Sequence, residues 1–246
     1  MIRTPDGRPI PPRAQPGYYP GYSTLAQQKY WDAKTRETVL ARVGDVPPIR
    51  FFTPEETRMM EVICDHIIPQ DDRDAAHRIP IVPRIDDRLY NHRHDGYRFE
   101  GMPPDGEAFQ LGLRAIDEIA RHLHGARFLE IGWREQDLIL ASLHDCKPAA
   151  AADIWKRMPV KRFWMMLVQD CAEVYYAHPW AWDEIGYGGP AYPRGYMRLE
   201  GGRPEPWEVD EKRYEWLAPE DSVSDKSEFI GGEESHYGAP GEGGTH

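Results

Sequence analysis

The side chains best suited to chemistry in this 246-residue chain are a few histidines. His178 lies five residues before Asp183, and such a pair could support general-base catalysis if a substrate pocket lay beside it. His92 and His94 are two residues apart, so only a loop would let both side chains bind one metal ion. An autonomous metal-dependent or histidine-based enzyme, using His178 with Asp183 or His92 with His94, is therefore the alternative hypothesis for this chain.

Other common catalytic and cofactor-binding patterns do not fit the sequence. The three cysteines, Cys64, Cys146 and Cys171, are far apart and form no CxxC pair, which predicts buried thiols rather than metal ligands. Residues 186–191 superficially match the G-x-G-x-x-A dinucleotide fingerprint, but they follow a predicted helix, not a strand, and contain a proline. No G-x-S-x-G or CxxCH is present. We therefore predict no catalytic, cofactor-binding or metal-binding residues, and no cofactor bound by this chain.

The charge of the chain is acidic and unevenly distributed. Its formal net charge is −11, which argues against nucleic acid or an anionic membrane surface as the main partner. Residues 1–50 carry 8 basic and 4 acidic side chains, whereas residues 201–246 carry 4 basic and 12 acidic ones. No run approaches the roughly 18–20 apolar residues of a membrane span, and no signal peptide or twin-arginine motif is evident. These features predict a cytoplasmic protein; export with a partner that carries the signal is the alternative.

The elements that must position these residues are helices. Thr53 is suited to cap a helix that starts at Pro54, because Glu56 completes a capping box. Apolar residues recur every three or four positions from Asp105 to His124, and Gly125 closes that segment. Long strand-like alternation is absent, so the sequence predicts an all-α fold, a small irregular helical bundle with five or six helices in its body. Further helical segments are expected at 82–90, 128–143, 149–158 and 163–178, with one short helix within 23–42 capped by Ser23.

The last predicted helix ends at His178-Pro179, because proline has no N–H and disfavours a helical residue before it. Residues 179–196, here called the strap, are rich in glycine, proline and aromatic side chains and are predicted to be irregular. Such a segment buries its rings against its own core or against a partner, and we interpret the strap as partly core and partly interface. The predicted partner-binding residues are Trp180, Trp182, Tyr187, Tyr192, Arg194, Tyr196 and Trp207.

The sequence suggests three parts. Residues 1–50 are predicted to form an extended N-terminal arm with one short helix. Residues 51–200 are predicted to form the helical domain. Residues 201–246 are predicted to form an acidic, partly disordered C-terminal arm, in which 203–217 lie over a surface because of their aromatic rings.

Two motifs at the ends of the helical domain give the sequence a family resemblance. At its start, Phe51-Phe52-Thr53 leads into a helix that ends in Asp65-His66-Ile67-Ile68-Pro69-Gln70-Asp71-Asp72. At its end, Tyr175-Tyr176 is followed by His178-Pro179, by Gly-Tyr-Gly-Gly-Pro at 186–190 and by Tyr-Pro-Arg-Gly-Tyr at 192–196. With these motifs the chain resembles the gluconate 2-dehydrogenase subunit 3 family over about residues 51 to 199.

That family consists of small subunits of flavin-dependent sugar and polyol dehydrogenases. The resemblance implies a non-catalytic accessory subunit that binds and stabilises a large FAD-binding catalytic subunit of the glucose-methanol-choline type and assists its maturation or export. FAD is then expected in the partner, and a cytochrome c or another electron acceptor is a further expected partner of the hetero-oligomer. Small subunits of this family often carry a twin-arginine export signal, and this chain departs from that pattern.

Overall fold

The architecture is described from a computed structural model for residues 23–93, 96–185, 187, 189 and 190. Within these residues the chain forms eight α-helices and two 3-10 segments, and no β-strand. More than half of residues 51–180 is helical. The predicted all-α fold is therefore confirmed. The 3-10 segments are Thr24–Tyr30 and Phe128–Glu130; the helices are α1 (Ala33–Gly44), α2 (Pro54–Ile67), α3 (Ile81–Tyr90), α4 (Asp105–His124), α5 (Trp133–His144), α6 (Ala152–Arg157), α7 (Val160–Tyr176) and α8 (Pro179–Ile185).

The start of α2 follows the predicted capping box. The Thr53 hydroxyl accepts a hydrogen bond from Glu56 N at 3.2 Å, and the Glu56 carboxylate accepts one from Thr53 N at 2.9 Å. These bonds satisfy two N–H groups that a helix start would otherwise leave unpaired. The residues just before α2 are held by α3, because the buried Asp86 carboxylate accepts the backbone N–H groups of Arg50, Phe51 and Phe52.

Helix α4 runs through the centre of the bundle with the predicted bounds, Asp105–His124. It ends at Gly125, whose φ of 69° is left-handed, as a glycine after a helix allows. Midway along α4, Gly112 lets the helix cross α7 closely: a Cβ built there would lie 2.0 Å from Cζ of Phe163. The side of α4 that carries Gly112 thus faces the buried ring of Phe163 on α7.

The main core lies where α2, α3, α4, α5 and α7 meet. It is formed by apolar side chains and includes the two thiols of Cys64 and Cys171, whose sulfur atoms are 3.6 Å apart; Cys146 is exposed. The prediction of buried thiols is right for the first two and wrong for Cys146. The largest fully buried side chains of the main core are Phe109, Phe128, Phe163, Met60, Ile63, Ile85, Leu89, Leu111, Ile116, Ile119, Ile139 and Leu143.

One ion-pair network ties three of these helices together. Arg88 of α3 donates to Asp105 at the start of α4 at 2.7 Å and also to Asp170 of α7. Burial raises the pKa of Asp170 to about 6, although the charge of Arg88 opposes that rise. The Asp170 carboxylate is therefore held among the helices at a cost in desolvation free energy, and its attraction to Arg88 offsets only part of that cost.

Two local predictions differ from the structure. Residues 24–44 form a 3-10 segment and α1 rather than one short helix, and the side chain that caps α1 is Asp32, which accepts from Thr35 N at 2.7 Å. The strap is not irregular at its start, because residues 179–185 form α8. Proline does end α7, but it also suits the first position of the next helix, where its missing N–H needs no partner.

The described part of the chain contains no helix long and apolar enough to cross a membrane. The residues before α2 contact the last described helix: the 3-10 segment Thr24–Tyr30 and α1 both pack against α8. The division into parts at residues 50 and 200 stays a prediction.

Candidate partner-binding site

The site predicted for partner binding is built on the junction between α7 and α8. The backbone N–H groups of Ala181 and Trp182 donate to the carbonyl of His178 at 3.0 and 3.2 Å. His178 therefore starts α8 with its carbonyl while its side chain is buried. Only two residues separate α7 from α8, and α8 packs against α1 and pairs with the turn after α2 through Arg73.

A buried polar cluster fixes α8 to that turn. The guanidinium of Arg73, which follows α2, pairs with the Glu184 carboxylate of α8 and donates to the Tyr175 hydroxyl at 3.4 Å. The same hydroxyl donates to Glu184 at 2.6 Å. Burial and this bond to Glu184 raise the pKa of Tyr175, so its hydroxyl stays protonated and acts as a donor. The cluster fixes the rotation of α8 about its own axis.

A second, smaller core packs the other side of α8 against the N-terminal segment. Trp31, Val39 and Trp182 are its buried side chains. The Trp182 indole N–H donates to the carbonyl of Tyr176 at 2.6 Å, and the Asp183 carboxylate accepts Thr24 N at 2.7 Å. This core needs residues from both ends of the described chain.

Glycine is required where the strap passes over this second core. Gly189 has a φ of 87°, and a Cβ there would lie 2.6 Å from Cγ2 of Thr24 and 3.4 Å from the ring of Trp31. Just before it, the carbonyl of Tyr187 accepts from the Thr24 hydroxyl at 3.2 Å. The glycine at 189 in the strap motif is thus explained by its close approach to Thr24 and Trp31.

The predicted partner-binding residues fall into three groups. Trp182 is 5% exposed and is held by its own chain, whereas Tyr187 is 36% exposed and meets Trp182 edge to face at 5.4 Å. Trp180 is half-buried, with its ring 4.6 Å from that of His178 and 5.1 Å from that of His77. Their role in partner binding stays a prediction. Tyr192, Arg194, Tyr196 and Trp207 lie outside the described residues.

Of the two residue pairs in the alternative hypothesis, the structure describes both members of only one, and His178 and Asp183 do not form a catalytic pair. His178 makes no hydrogen bond or ion pair with Asp183; its Nδ1 accepts from Trp180 N at 3.2 Å. Burial, helped by the positive charges of Arg73 and Arg84, lowers the pKa of His178 to about 4. His178 is therefore neutral at pH 7 and a weak base. His92 lies in the turn after α3, and His94 is outside the described residues. No group of three or more metal-ligating side chains is present in the described residues.

A cavity of about 250 Å³ opens beside His178. Two arginines border it: Arg42 of α1 donates to the carbonyl of Ala177 at 2.8 Å, and Arg84 of α3 donates to three carbonyls at the end of α1. Neither arginine is predictable from the sequence, because bonds to main-chain carbonyls of distant segments leave no spacing pattern. The lining residues are Arg42, Ile79, Pro80, Arg84, Glu173, Val174, Ala177 and His178.

Comparison with known protein families gives a match that spans the helical bundle and the α7–α8 junction. A family model described as gluconate 2-dehydrogenase subunit 3 matches residues 54–189, which is more than half of the chain. The match begins at the first residue of α2 and ends at Gly189, so it includes the helical bundle, the α7–α8 junction and the glycine over the second core. Comparisons with curated proteins and with solved structures give no match. The predicted resemblance is confirmed, and the chain belongs to the gluconate 2-dehydrogenase subunit 3 family.

Proposed function

We propose that this chain is a non-catalytic small subunit that binds and stabilises the large FAD-containing subunit of a sugar, polyol or glycoside oxidoreductase and assists its maturation. The observation that carries the proposal is the family match across residues 54–189. By family, the chain is an accessory subunit of a dehydrogenase complex and works in a hetero-oligomer. The proposal assigns FAD and the catalytic base to the large subunit.

The α7–α8 junction supports a binding role. Its rings sit on a rigid base, since α8 is fixed by the buried pair of Arg73 and Glu184 and by the burial of Trp182. Trp180 and Tyr187 remain partly accessible on that base. Aromatic side chains held in place lose little entropy on binding and often supply much of the affinity of an interface.

A second group of exposed rings offers a further contact surface. Tyr97 is 62% exposed and packs edge to face against Phe99 at 5.6 Å. The guanidinium of Arg162 lies 3.9 Å from the centre of the Phe99 ring. Tyrosine and arginine are enriched at protein interfaces, so this surface is the first place to look if the strap is not the interface.

Binding alone is enough to stabilise the large subunit. A partner that binds only the folded state adds RT ln(1 + [L]/Kd), about 2.7 kcal/mol when the small subunit is at a hundredfold excess over Kd. No chemistry in the small subunit is needed for that effect. The proposal therefore predicts higher thermal stability of the large subunit in the complex, with turnover that depends on the large subunit's FAD.

The test is to purify the full-length chain and a flavin oxidoreductase encoded beside it, separately and together. We expect the two to co-elute, the small subunit alone to be colourless and inactive, and the flavoprotein to melt at a higher temperature in the complex. The control is Arg114→Gln, which changes one exposed residue of α4 outside both ring clusters and should leave partner binding intact.

Two results would contradict the proposal. One is a small subunit that shows turnover, or binds flavin, without any partner. The other is a flavoprotein whose melting temperature, yield of bound flavin and elution volume are the same with and without the small subunit.

A further inference from the structure

We propose that the cavity beside His178 is a binding site for a small carboxylate with an apolar body. Its volume of about 250 Å³ lies just below the usual range of roughly 300–1,000 Å³ for pockets that hold drug-sized ligands. Two arginines and several apolar side chains line it. The arginines suit the carboxylate of such a ligand, and the apolar side chains suit its hydrocarbon body. The inference does not depend on the identity of the partner subunit.

The arginines supply the charge. Arg42 and Arg84 are both half-buried, and their hydrogen bonds go to main-chain carbonyls rather than to carboxylates. Neither of them forms an ion pair with any of the described residues, which is unusual for partly buried guanidinium groups. Arg42 uses one of its five N–H donors on Ala177, so others remain for a ligand.

The electrostatic surroundings favour an anion. Burial lowers the pKa of Arg42 and of Arg84, and the nearby charge of Arg84 lowers that of Arg42 further. His178 is neutral and adds no charge of its own, and its Nε2 is buried without a hydrogen-bond partner among the described residues. A bound anion would relieve the repulsion between the two arginines.

Two carboxylates are near enough to weigh against this. Glu173 lines the cavity but is exposed, and its side chain accepts from Gln169 at 2.7 Å. Asp45 follows α1 and raises the pKa of Arg84 by its charge, but the bond between the two residues is made by the Asp45 carbonyl. Both residues are exposed, so solvent and salt screen the charges of their carboxylates.

The apolar walls decide between kinds of anion. Ile79, Pro80 and Val174 line the cavity, and Ile79 is buried. A phosphate or sulfate ion would leave these surfaces without contact, whereas an alkyl carboxylate covers them and offers the planar group that a guanidinium binds with two parallel hydrogen bonds. The ligand class is therefore a monocarboxylate with a short hydrocarbon chain.

The probe is hexanoate, with hexanamide as its uncharged match, titrated into the full-length chain by calorimetry and followed by thermal melting. We expect hexanoate to bind with a Kd of about 1 mM or tighter and to raise the melting temperature. Hexanamide and inorganic phosphate should each bind at least about tenfold more weakly. Binding of hexanoate should also weaken as salt is raised, because the arginines are partly exposed.

Two variants and one control locate the site. Arg42→Gln should weaken hexanoate binding about tenfold or more, and Val174→Glu, which places a carboxylate beside the arginines, should abolish it. Val174 is half-buried and its replacement keeps the Arg42 bond to Ala177, so a melting temperature near that of the parent shows that binding is lost without loss of the fold. Arg114→Gln makes the same change of charge on the outer face of α4 and should bind hexanoate as the parent does.

The proposal is overturned if hexanoate and hexanamide bind equally, if phosphate binds more tightly than hexanoate, or if no binding is measured at 10 mM, about ten times the expected Kd. It is also overturned if Arg114→Gln weakens binding as much as Arg42→Gln. The hexanoate experiments use the small subunit alone. Their failure would therefore not contradict the proposed binding to a flavoprotein, and failure of that binding would not contradict the carboxylate site.

Discussion

The Asp86 carboxylate accepts hydrogen bonds from three successive backbone N–H groups, those of Arg50, Phe51 and Phe52, at 2.7, 2.9 and 2.8 Å. Arg84 does the converse at the end of α1, where its guanidinium donates to main-chain carbonyls. In both cases one charged side chain replaces the bonds that secondary structure does not supply. Single residues of this kind decide where helices α1 and α2 lie against α3.

Replacing Asp86 by alanine should therefore destabilise the fold strongly. Three N–H groups would lose a charged acceptor, and the one on Phe52 is buried, so we expect a loss of about 3 kcal/mol or more in the free energy of unfolding. Urea denaturation measures it. Asp87→Ala is the matched control on the same helix: its ion pairs with Arg50 and Arg93 are near the surface, and its loss should stay near 1 kcal/mol. Equal losses in the two variants would contradict this account.

His178 should make the protein sensitive to acid. Its pKa is about 4 in the folded state, against about 6.5 when unfolded, so between these values the unfolded state binds more protons and stability falls as the pH is lowered. The full effect is about 3 kcal/mol at pH 4. His178→Asn keeps an acceptor for Trp180 N but does not titrate, so the difference in stability between the native protein and this variant should change by that amount.

Urea unfolding at pH 4, 5, 6 and 7 measures this difference. The variant is needed as the reference because the pKa of Asp170, raised to about 6, works in the opposite direction and favours the folded state on acidification. Parallel pH profiles of the native protein and His178→Asn would show that His178 titrates normally.

At the level of elements, the close crossing of α4 and α7 depends on one missing side chain. Gly112 lies against Phe163, whose ring is fully buried and meets Phe109 edge to face at 6.5 Å. The helix accepts the lower helical propensity of glycine at this position because any larger residue would push the two helices apart. The contact sets the spacing of the whole bundle around it.

Gly112→Ala should accordingly destabilise the protein although alanine favours helix formation. The added Cβ would lie 2.0 Å from Cζ of Phe163, and overpacking of this kind costs about 1–3 kcal/mol after the helical gain. Gly44→Ala is the control: it ends α1 with nothing within 4 Å of the new Cβ, so stability should stay the same or rise by up to about 1 kcal/mol. Thermal melting compares the two, and similar melting temperatures would refute the close-crossing argument.

The elements also show what sequence reasoning can and cannot reach. The bounds of α4 and the capping box at Thr53 were predictable because their signals are local: a repeat of apolar residues, a cap and a closing glycine. Helix α8 was missed because Pro179 both ends one helix and starts the next. The cavity between Arg42 and Arg84 could not be predicted, since it exists only when α1, α3 and α7 are packed together.

At the level of the whole molecule, the main core and the second core hold different segments of the chain together. The main core joins α2 to α7 and includes Ala181 of α8, whereas the second core of Trp31, Val39 and Trp182 holds the N-terminal segment to α8. The rings at the junction therefore divide into one that supports the fold and others that are partly exposed. Stability and partner binding can therefore be tested separately, by changing the buried ring in one variant and a partly exposed ring in another.

Trp182→Ala should lower the stability of the small subunit, and Tyr187→Ala should lower its affinity for the large subunit. Truncation of a buried tryptophan costs about 3–5 kcal/mol of folding free energy. Loss of an aromatic anchor at an interface costs about 2 kcal/mol of binding, roughly thirtyfold in Kd. Melting temperature and partner affinity, measured for both variants, check the two effects. If Tyr187→Ala leaves the affinity unchanged, the interface is to be sought at Tyr97 and Phe99.

The bond from Thr24 N to the Asp183 carboxylate joins residues 159 positions apart. During synthesis on the ribosome, Thr24 emerges long before its partner, so the N-terminal segment waits without its packing surface while α2 to α7 form by more local contacts. The junction that carries Trp180 and Tyr187 is completed only after Gly189 has left the exit tunnel. Assembly with a large subunit through this junction is therefore possible only late in synthesis, whereas assembly through the Tyr97 surface could begin earlier on the nascent chain.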